Sequence, residues 1–392
     1  MQPLKGLTVV TLEHAIAAPF ATRQLADLGA RVIKIERPGV GDFARGYDER
    51  VRGLASHFVW TNRSKESLTL DVKHPKANEI LQRLVLEKAD VVIQNLAPGA
   101  SARLGLGYDK LAALKPGIIV CDISGYGGDG PYRDKKAYDL LIQSEAGFVS
   151  VTGTPDEPCK AGPSIADIAA GMYAYTNILA ALLQRAQTGR GQHIDVSMLE
   201  SLAEWTSYPL YYAYEGAAPP PRTGASHATI YPYGPFPAGD GGTVMLGLQN
   251  EREWGAFCDK VLLQPALAQD PRFTSNSRRS AERAALRAII VLAFAPLTAA
   301  QVVERLELAQ IANARVNTMA EVWAHPQLKA RQRWREVGSP VGPLPAMLPP
   351  GSWHEEPRMD PVPALGEHTD AILAELGLNA ADIAALRAES AV

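Results

Sequence analysis

Asp167 opens the stretch IADIAAGMYAYTNILAALLQRAQTGRG, residues 165–191, and is the candidate nucleophile of this chain. Ile168, Met172, Tyr175, Leu179, Leu182 and Leu183 recur at helical spacing, alanines fill between them, and Thr188, Gly189 and Gly191 stop the run. Asp167 is therefore expected in the first turn of a long apolar helix, where exposed backbone N–H groups and the helix dipole favour an ionised carboxylate. The same placement suits a plain helix cap worth about 1 kcal/mol. Spacing alone leaves both roles open.

The elements that must hold this carboxylate alternate. Residues 7–12, 30–35, 89–95 and 117–124 read as strands, and residues 17–28, 76–88 and 109–114 as helices. Strands alternating with helices favour parallel crossovers in an α/β sheet, with ligands beyond the carboxyl ends of the strands. The turn after the first strand, Glu13 to Pro19, lacks the glycines that let a pyrophosphate approach, so a dinucleotide site is not expected. Gly125 to Gly130 is glycine-rich but is followed by Pro131 and Tyr132 rather than the Lys-Ser/Thr of a phosphate loop, and reads as a tight turn.

Composition shifts at residues 216–235, where prolines and small polar residues suggest a linker. Beyond it, residues 236–248 read as a hairpin, helices follow near 251–262, 281–294 and 298–308, and Thr298 with Gln301 suggests a capping box. The expected organisation is a large domain begun by residues 1–215, a smaller inserted α+β domain at 236–325, and a return to the large domain at 326–392.

At 392 residues the chain can bury a large core. A formal net charge of -3 gives no pointer to nucleic acid or an anionic membrane. Cys121, Cys159 and Cys258 are far apart, which argues against a zinc site or disulfide framework. No signal peptide is evident and no run nears 18 uninterrupted apolar residues, so a soluble cytoplasmic protein without a metal is expected.

Four stretches in order, LKGLTVVTLEHAIAAPFATRQLADLGARVIKIERPGVGD, TLDVK, QNLAPGASARLGLGYDKL and PALGEHTDAILAELGL, together with the segment around Asp167, resemble the class III CoA-transferases, the CaiB/BaiF family. The resemblance covers nearly the whole chain. It implies a Rossmann-like large domain with an inserted small one, an interlocked homodimer, and CoA thioesters as co-substrates. It also implies a covalent route on the aspartate matching Asp167, in which CoA passes from an acyl thioester to a free carboxylate through an aspartyl-CoA thioester. Such exchange divides attack on a poor electrophile into easier steps.

The resemblance further implies CoA contacts at Arg37, Leu70, Lys73, Asn95, Leu96, Arg103, Lys136 and Tyr138. Oxyanion donors are expected from the backbone of the His14 to Pro19 turn, where Ile16 replaces a glutamine of the formyl-CoA transferases, and from the loop at Tyr233 and Gly234. Residues 41–53, 57–73 and 222–236 look most like the enzymes acting on C4 and C5 dicarboxylates such as succinate, itaconate, mesaconate and citramalate. A second substrate carboxylate would need a fixed cation, for which Arg45, Arg52, Arg222 and His227 are candidates, and His14 could line the thioester site. The related α-methylacyl-CoA racemases carry a histidine before an aspartate where this chain has Tyr138 and Asp139, and a phenol near pKa 10 is a poor base at neutral pH. Transfer is therefore favoured over racemisation, and a non-catalytic CoA-ester-binding protein is the remaining alternative.

Overall fold

The computed structural model describes residues 1–351 and 354–392. The chain divides into two compact units, one of residues 1–148, 161–207 and 327–392, the other of residues 149–160 and 208–326.

The first unit is built on six strands, β1 (Thr8–Leu12), β2 (Arg31–Glu36), β3 (Lys65–Thr69), β4 (Val91–Gln94), β5 (Ile119–Ser124) and β6 (His193–Ser197), in the order β3-β2-β1-β4-β5-β6. All neighbours are parallel, with Val10 opposite Ile33 on one side and Val92 on the other. This is the doubly wound order, whose switch point lies between β1 and β4.

Side chains alternate with the pleat, so both faces bury apolar layers. Val9, Val32, Val91, Ile93 and Ile119 pack under helices α1 (Ala17–Asp27) and Ile165–Thr188. Val10, Ile33, Ile35, Leu68 and Val92 pack with Leu81, Leu84 and Val85 of Pro75–Lys88, and with Ile372 and Leu373. Helix Ile165–Thr188 is long and apolar enough by composition to cross a membrane, but Ala166, Ala170, Ala174, Ile178 and Ala181 are buried in the first of these layers.

The second unit has its own core around Phe236, Trp254, Phe257, Phe273 and Phe294. Strands β7 (Tyr233–Pro237), β8 (Thr243–Gly247) and β9 (Ala312–Arg315) form an antiparallel sheet, and the Thr298–Gln301 capping box is present in both directions. The unit begins near residue 208 rather than after a linker at 216–235, and it also takes residues 149–160. The physical reason is a set of backbone contacts. Gly224 N–H donates to the Gly153 carbonyl at 2.7 Å, and the Arg222 guanidinium donates to the carbonyls of Thr154 and Pro155.

Candidate active site

The loops leaving β1 and β4 meet at the switch point. The Asn95 amide grips the His14 backbone twice, its Oδ1 accepting from the His14 N–H and its Nδ2 donating to the His14 carbonyl, both at 2.9 Å. The next residue, Ala15, has φ of +60°, a left-handed conformation that costs a Cβ-bearing residue about 1–2 kcal/mol. Its N–H donates to Asp42 Oδ1 at 3.1 Å.

Helix α1 follows, and the N–H groups of Ile16, Ala17 and Ala18 have no hydrogen-bond partner among the described residues, although all three residues are buried. Of the donors expected from this turn, those of His14 and Ala15 are thus occupied and the next three are open.

Asp167 lies in the first turn of Ile165–Thr188. Asp139 reaches across from helix Asp139–Glu145, and its Oδ1 accepts the N–H groups of Ala166 at 2.8 Å and Asp167 at 3.2 Å. The cap is therefore supplied from outside, and the Asp167 carboxylate has no hydrogen bond among the described residues. Here the structure reverses a sequence-based expectation. Burial, with the like charge of Asp139, pushes the Asp167 carboxyl up to about 7 instead of favouring its ionised form.

One turn on, Gly171 passes close to α1. A Cβ there would sit 2.7 Å from the Ala17 carbonyl oxygen and 3.0 Å from the Phe20 ring. This near contact brings the beginning of α1 beside the turn that carries Asp167. Burial and the charges of Asp42 and Asp167 push the nearby Tyr47 phenol up to about 12.

A buried ionic cluster that sequence reasoning missed lies beneath the turn. Lys34 Nζ is 2.7 Å from Asp42 Oδ2 and 3.3 Å from Glu13 Oε1, and Lys65 Nζ is 2.7 Å from Glu13 Oε1, all four side chains being sealed from solvent. Burial opposes the charge on Asp42, but Lys34 holds its carboxyl well below the usual range. The available signal was Lys34 itself, a lysine inside the apolar strand RVIKIE of a sheet covered on both faces.

The four cations expected to meet CoA sit beyond successive strand ends. Arg37 follows β2, Lys73 follows β3, Arg103 follows β4 and Lys136 follows β5. Each is exposed, and none has an ion-pair partner among the described residues. Tyr138 is exposed as well, whereas Leu70 is buried in the core. Leu96 donates its N–H to Gln94 and lines a cleft of about 460 Å³ at the carboxyl ends of β4 and β5, beside His193 and Asp195 of β6. Asp167 is not among the residues lining that cleft.

The proposed substrate cations differ in how firmly they are held. Both nitrogens of the Arg45 fork bind Glu36 at 2.8 Å, and the guanidinium stacks 3.7 Å from the centroid of Phe58, so its charge is neutralised within the fold. Arg52 is exposed and makes one long contact to the Pro343 carbonyl at 3.5 Å. His14 stacks on Phe43, and its Nδ1 lies 3.7 Å from Asp42 Oδ1.

Arg222, His227 and Gly234 belong to the second unit. His227 Nδ1 accepts the N–H groups of Thr229 and Ile230, and its ring stacks on Tyr233. Tyr233 and Gly234 lie in β7 rather than in a loop, with Gly234 paired to Leu246.

Residues 4–369 match CoA-transferase family III. The chain is 36% identical over 386 residues to the succinate–glutarate CoA-transferase of Agrobacterium fabrum, across 95% of this chain and 96% of that one. It is 33% identical to the succinyl-CoA–D-citramalate CoA-transferase of Chloroflexus aurantiacus, across 100% and 98% of the two chains. The crystal structure of a CaiB/BaiF family protein from Brucella suis superposes with a TM-score of 0.83 at 36% identity, covering 95% of this chain and 99% of that one. With the doubly wound sheet, the Asp167 segment and a match along almost its whole length, this chain belongs to CoA-transferase family III.

Proposed function

We propose that this class III CoA-transferase moves CoA from succinyl-CoA to a C4 or C5 dicarboxylic acid, with Asp167 as the nucleophile. The observation that carries the reading is the Asp167 carboxylate. Among the described residues it makes no hydrogen bond at the head of a helix capped by another residue, and one turn on, Gly171 packs against Ala17 at the start of α1, where the N–H groups of Ile16, Ala17 and Ala18 have no partner among the described residues.

In this reading an Asp167 oxygen attacks the thioester carbonyl, the C–S bond breaks, and a mixed anhydride and CoA thiolate result. The thiolate attacks Asp167 Cγ, releasing the donor carboxylate and leaving an aspartyl-CoA thioester. The acceptor carboxylate attacks Cγ and expels the thiolate. Attack of the thiolate on the acceptor's acyl carbon then frees Asp167 and gives the new acyl-CoA. The steps balance without a net proton, ATP or a metal. Each passes through a negatively charged oxygen that the α1 N–H groups could meet, and preorganised donors of this kind are typically a large part of such catalysis. Arg37, Lys73, Arg103 and Lys136, without ion-pair partners among the described residues, supply positive charge for the CoA phosphates.

The dicarboxylate class is supported by the relatives named for glutarate and citramalate. Itaconate and glutarate head the acids to test, with the exposed Arg52 and the half-buried His14 as partners for the second carboxylate.

The working unit is proposed to be an interlocked homodimer. The isolated chain exposes 19963 Å², whereas even two separate compact domains of these sizes would expose only about 18,000 Å². Trp205, Tyr208, Leu210, Tyr211 and Tyr214 are exposed apolar side chains for a partner to cover. The buried packing of helix Ile165–Thr188 favours a soluble enzyme, which is proposed to be cytoplasmic.

The test is mass spectrometry of the protein after succinyl-CoA, trapped with hydroxylamine or borohydride, in wild type and Asp167→Ala, followed by a panel of dicarboxylic and monocarboxylic acceptors. A modification at Asp167 and preference for dicarboxylates are expected. No adduct and no exchange would overturn the reading, and equal use of long monocarboxylic acids would overturn the substrate class.

A further inference from the structure

The turn after β1 is clamped from both sides, by Asn95 on His14 and by Asp42 on Ala15. The Asp42 side is the more heavily built. Its Oδ1 also accepts the Ala44 N–H at 2.9 Å, its Oδ2 takes Lys34 Nζ at 2.7 Å, and its own N–H donates to Glu36 Oε1 at 2.9 Å. Glu36 is fixed in turn by Arg45 and by Ser67 Oγ at 2.6 Å. Behind Lys34 stands Glu13, which also receives Lys65, Thr11 and Thr22.

Three acidic side chains thus face two lysines and an arginine, and apart from the part-buried Arg45 the whole cluster is sealed from water. Buried ionic clusters are poor sources of stability compared with apolar packing. This one sits directly under a peptide held in a conformation that disfavours any residue with a Cβ. Its placement is explained by the geometry it enforces.

We propose that Asp42, backed by Lys34, is a positioning residue. It holds the left-handed Ala15 peptide so that the N–H groups of Ile16, Ala17 and Ala18 keep the orientation needed to stabilise oxygen charge in acyl transfer. The inference rests on the reading of Asp167 as the nucleophile. Asp42 touches no substrate in this scheme, and its effect passes through the backbone.

Asp42→Asn keeps an acceptor of the same size and removes the charge that Lys34 faces. The expected result is a kcat lowered about 10- to 100-fold, the range for misaligned donors and reacting groups, with KM for the acyl-CoA within about twofold of wild type. Amide hydrogen exchange of residues 13–18 should quicken. Glycine adopts positive φ without the Cβ penalty, so Ala15→Gly placed on Asp42→Asn should restore kcat several-fold.

Unchanged kcat and unchanged adduct formation in Asp42→Asn would overturn the proposal. So would loss of kcat, KM and melting temperature together with no rescue by glycine, the mark of a merely structural role. If Asp42→Asn does not fold, Ala15→Val tests the same contact from the other side. A branched residue resists φ near +60°, so kcat should fall with KM held, and an unchanged kcat would overturn the proposal. Absence of any Asp167 adduct in the wild type would remove the nucleophile reading itself. An adduct that forms in Asp42→Asn at the wild-type rate would remove only the positioning role.

Discussion

The Asp139 carboxylate caps the helix that carries Asp167, accepting the N–H groups of Ala166 at 2.8 Å and of Asp167 at 3.2 Å. One acidic residue thereby takes the capping role from the other and also adds a like charge near it. The carboxyl left over is both partly desolvated and repelled, and so unusually basic for an aspartate.

The first consequence is a pH profile. On the proposed role of Asp167 as nucleophile, its carboxyl at about 7 loses the ionised form as pH falls through that value, so kcat/KM for succinyl-CoA should drop about tenfold per pH unit below pH 6 to 7. Asp139→Asn keeps the cap acceptor and removes the like charge. Its acid limb should move down by up to about one unit, while the elevation due to burial persists. An acid limb at the same pH in both proteins would show that Asp139 exerts no charge effect.

Stability should move the other way. An aspartate raised from about 3.9 when unfolded to about 7 in the fold binds its proton more tightly in the native state, so stability falls as pH rises between those two values. Asp167→Asn removes that loss. Thermal melts should show it a few degrees above wild type at pH 8 and scarcely different at pH 4.

Gly171→Ala separates helix propensity from packing. In an open helix the change would stabilise by about 1 kcal/mol. Here the new Cβ would fall 2.7 Å from the Ala17 carbonyl, a backbone atom that cannot swing aside. A net loss of about 1–3 kcal/mol in urea unfolding is expected, with reduced kcat because Asp167 and the first turn of α1 are pushed apart.

Lys65 Nζ donates to Glu13 Oε1, Asn62 Oδ1 and the Pro19 carbonyl, at 2.7, 3.1 and 3.0 Å. Replacing it with methionine leaves Glu13 buried and short of one cation. A loss of about 3–5 kcal/mol is expected, measurable by denaturant titration.

The sheet was legible because its strands are apolar runs between amphipathic helices. The expected boundaries at 7–12, 30–35 and 117–124 lie within two residues of β1, β2 and β5. β3 was harder to read, since KESLT carries polar residues at an edge and its partner β2 is far away in sequence. Asp167 could be placed in a first turn from helical spacing alone. The identity of its cap could not, because Asp139 is 28 residues away and reaches the helix only through tertiary packing. The same limit hid the Asp42–Lys34–Glu13 cluster, whose members are separated in sequence and join only when β1 and β2 pair.

The outer edge of β3 is closed by residues 366–369. The Thr69 N–H donates to Thr369 Oγ1 at 3.0 Å across a separation of 300 residues, the Ser67 N–H donates to His368 Nδ1, and the His368 N–H returns to the Ser67 carbonyl. During synthesis, that row of strand amides and carbonyls has no cover until residues 366–369 have left the ribosome. A polypeptide made only as far as residue 365 therefore carries an open pairing edge, and the folding step that seals the sheet against neighbouring chains waits on a segment some 300 residues beyond the strand it covers.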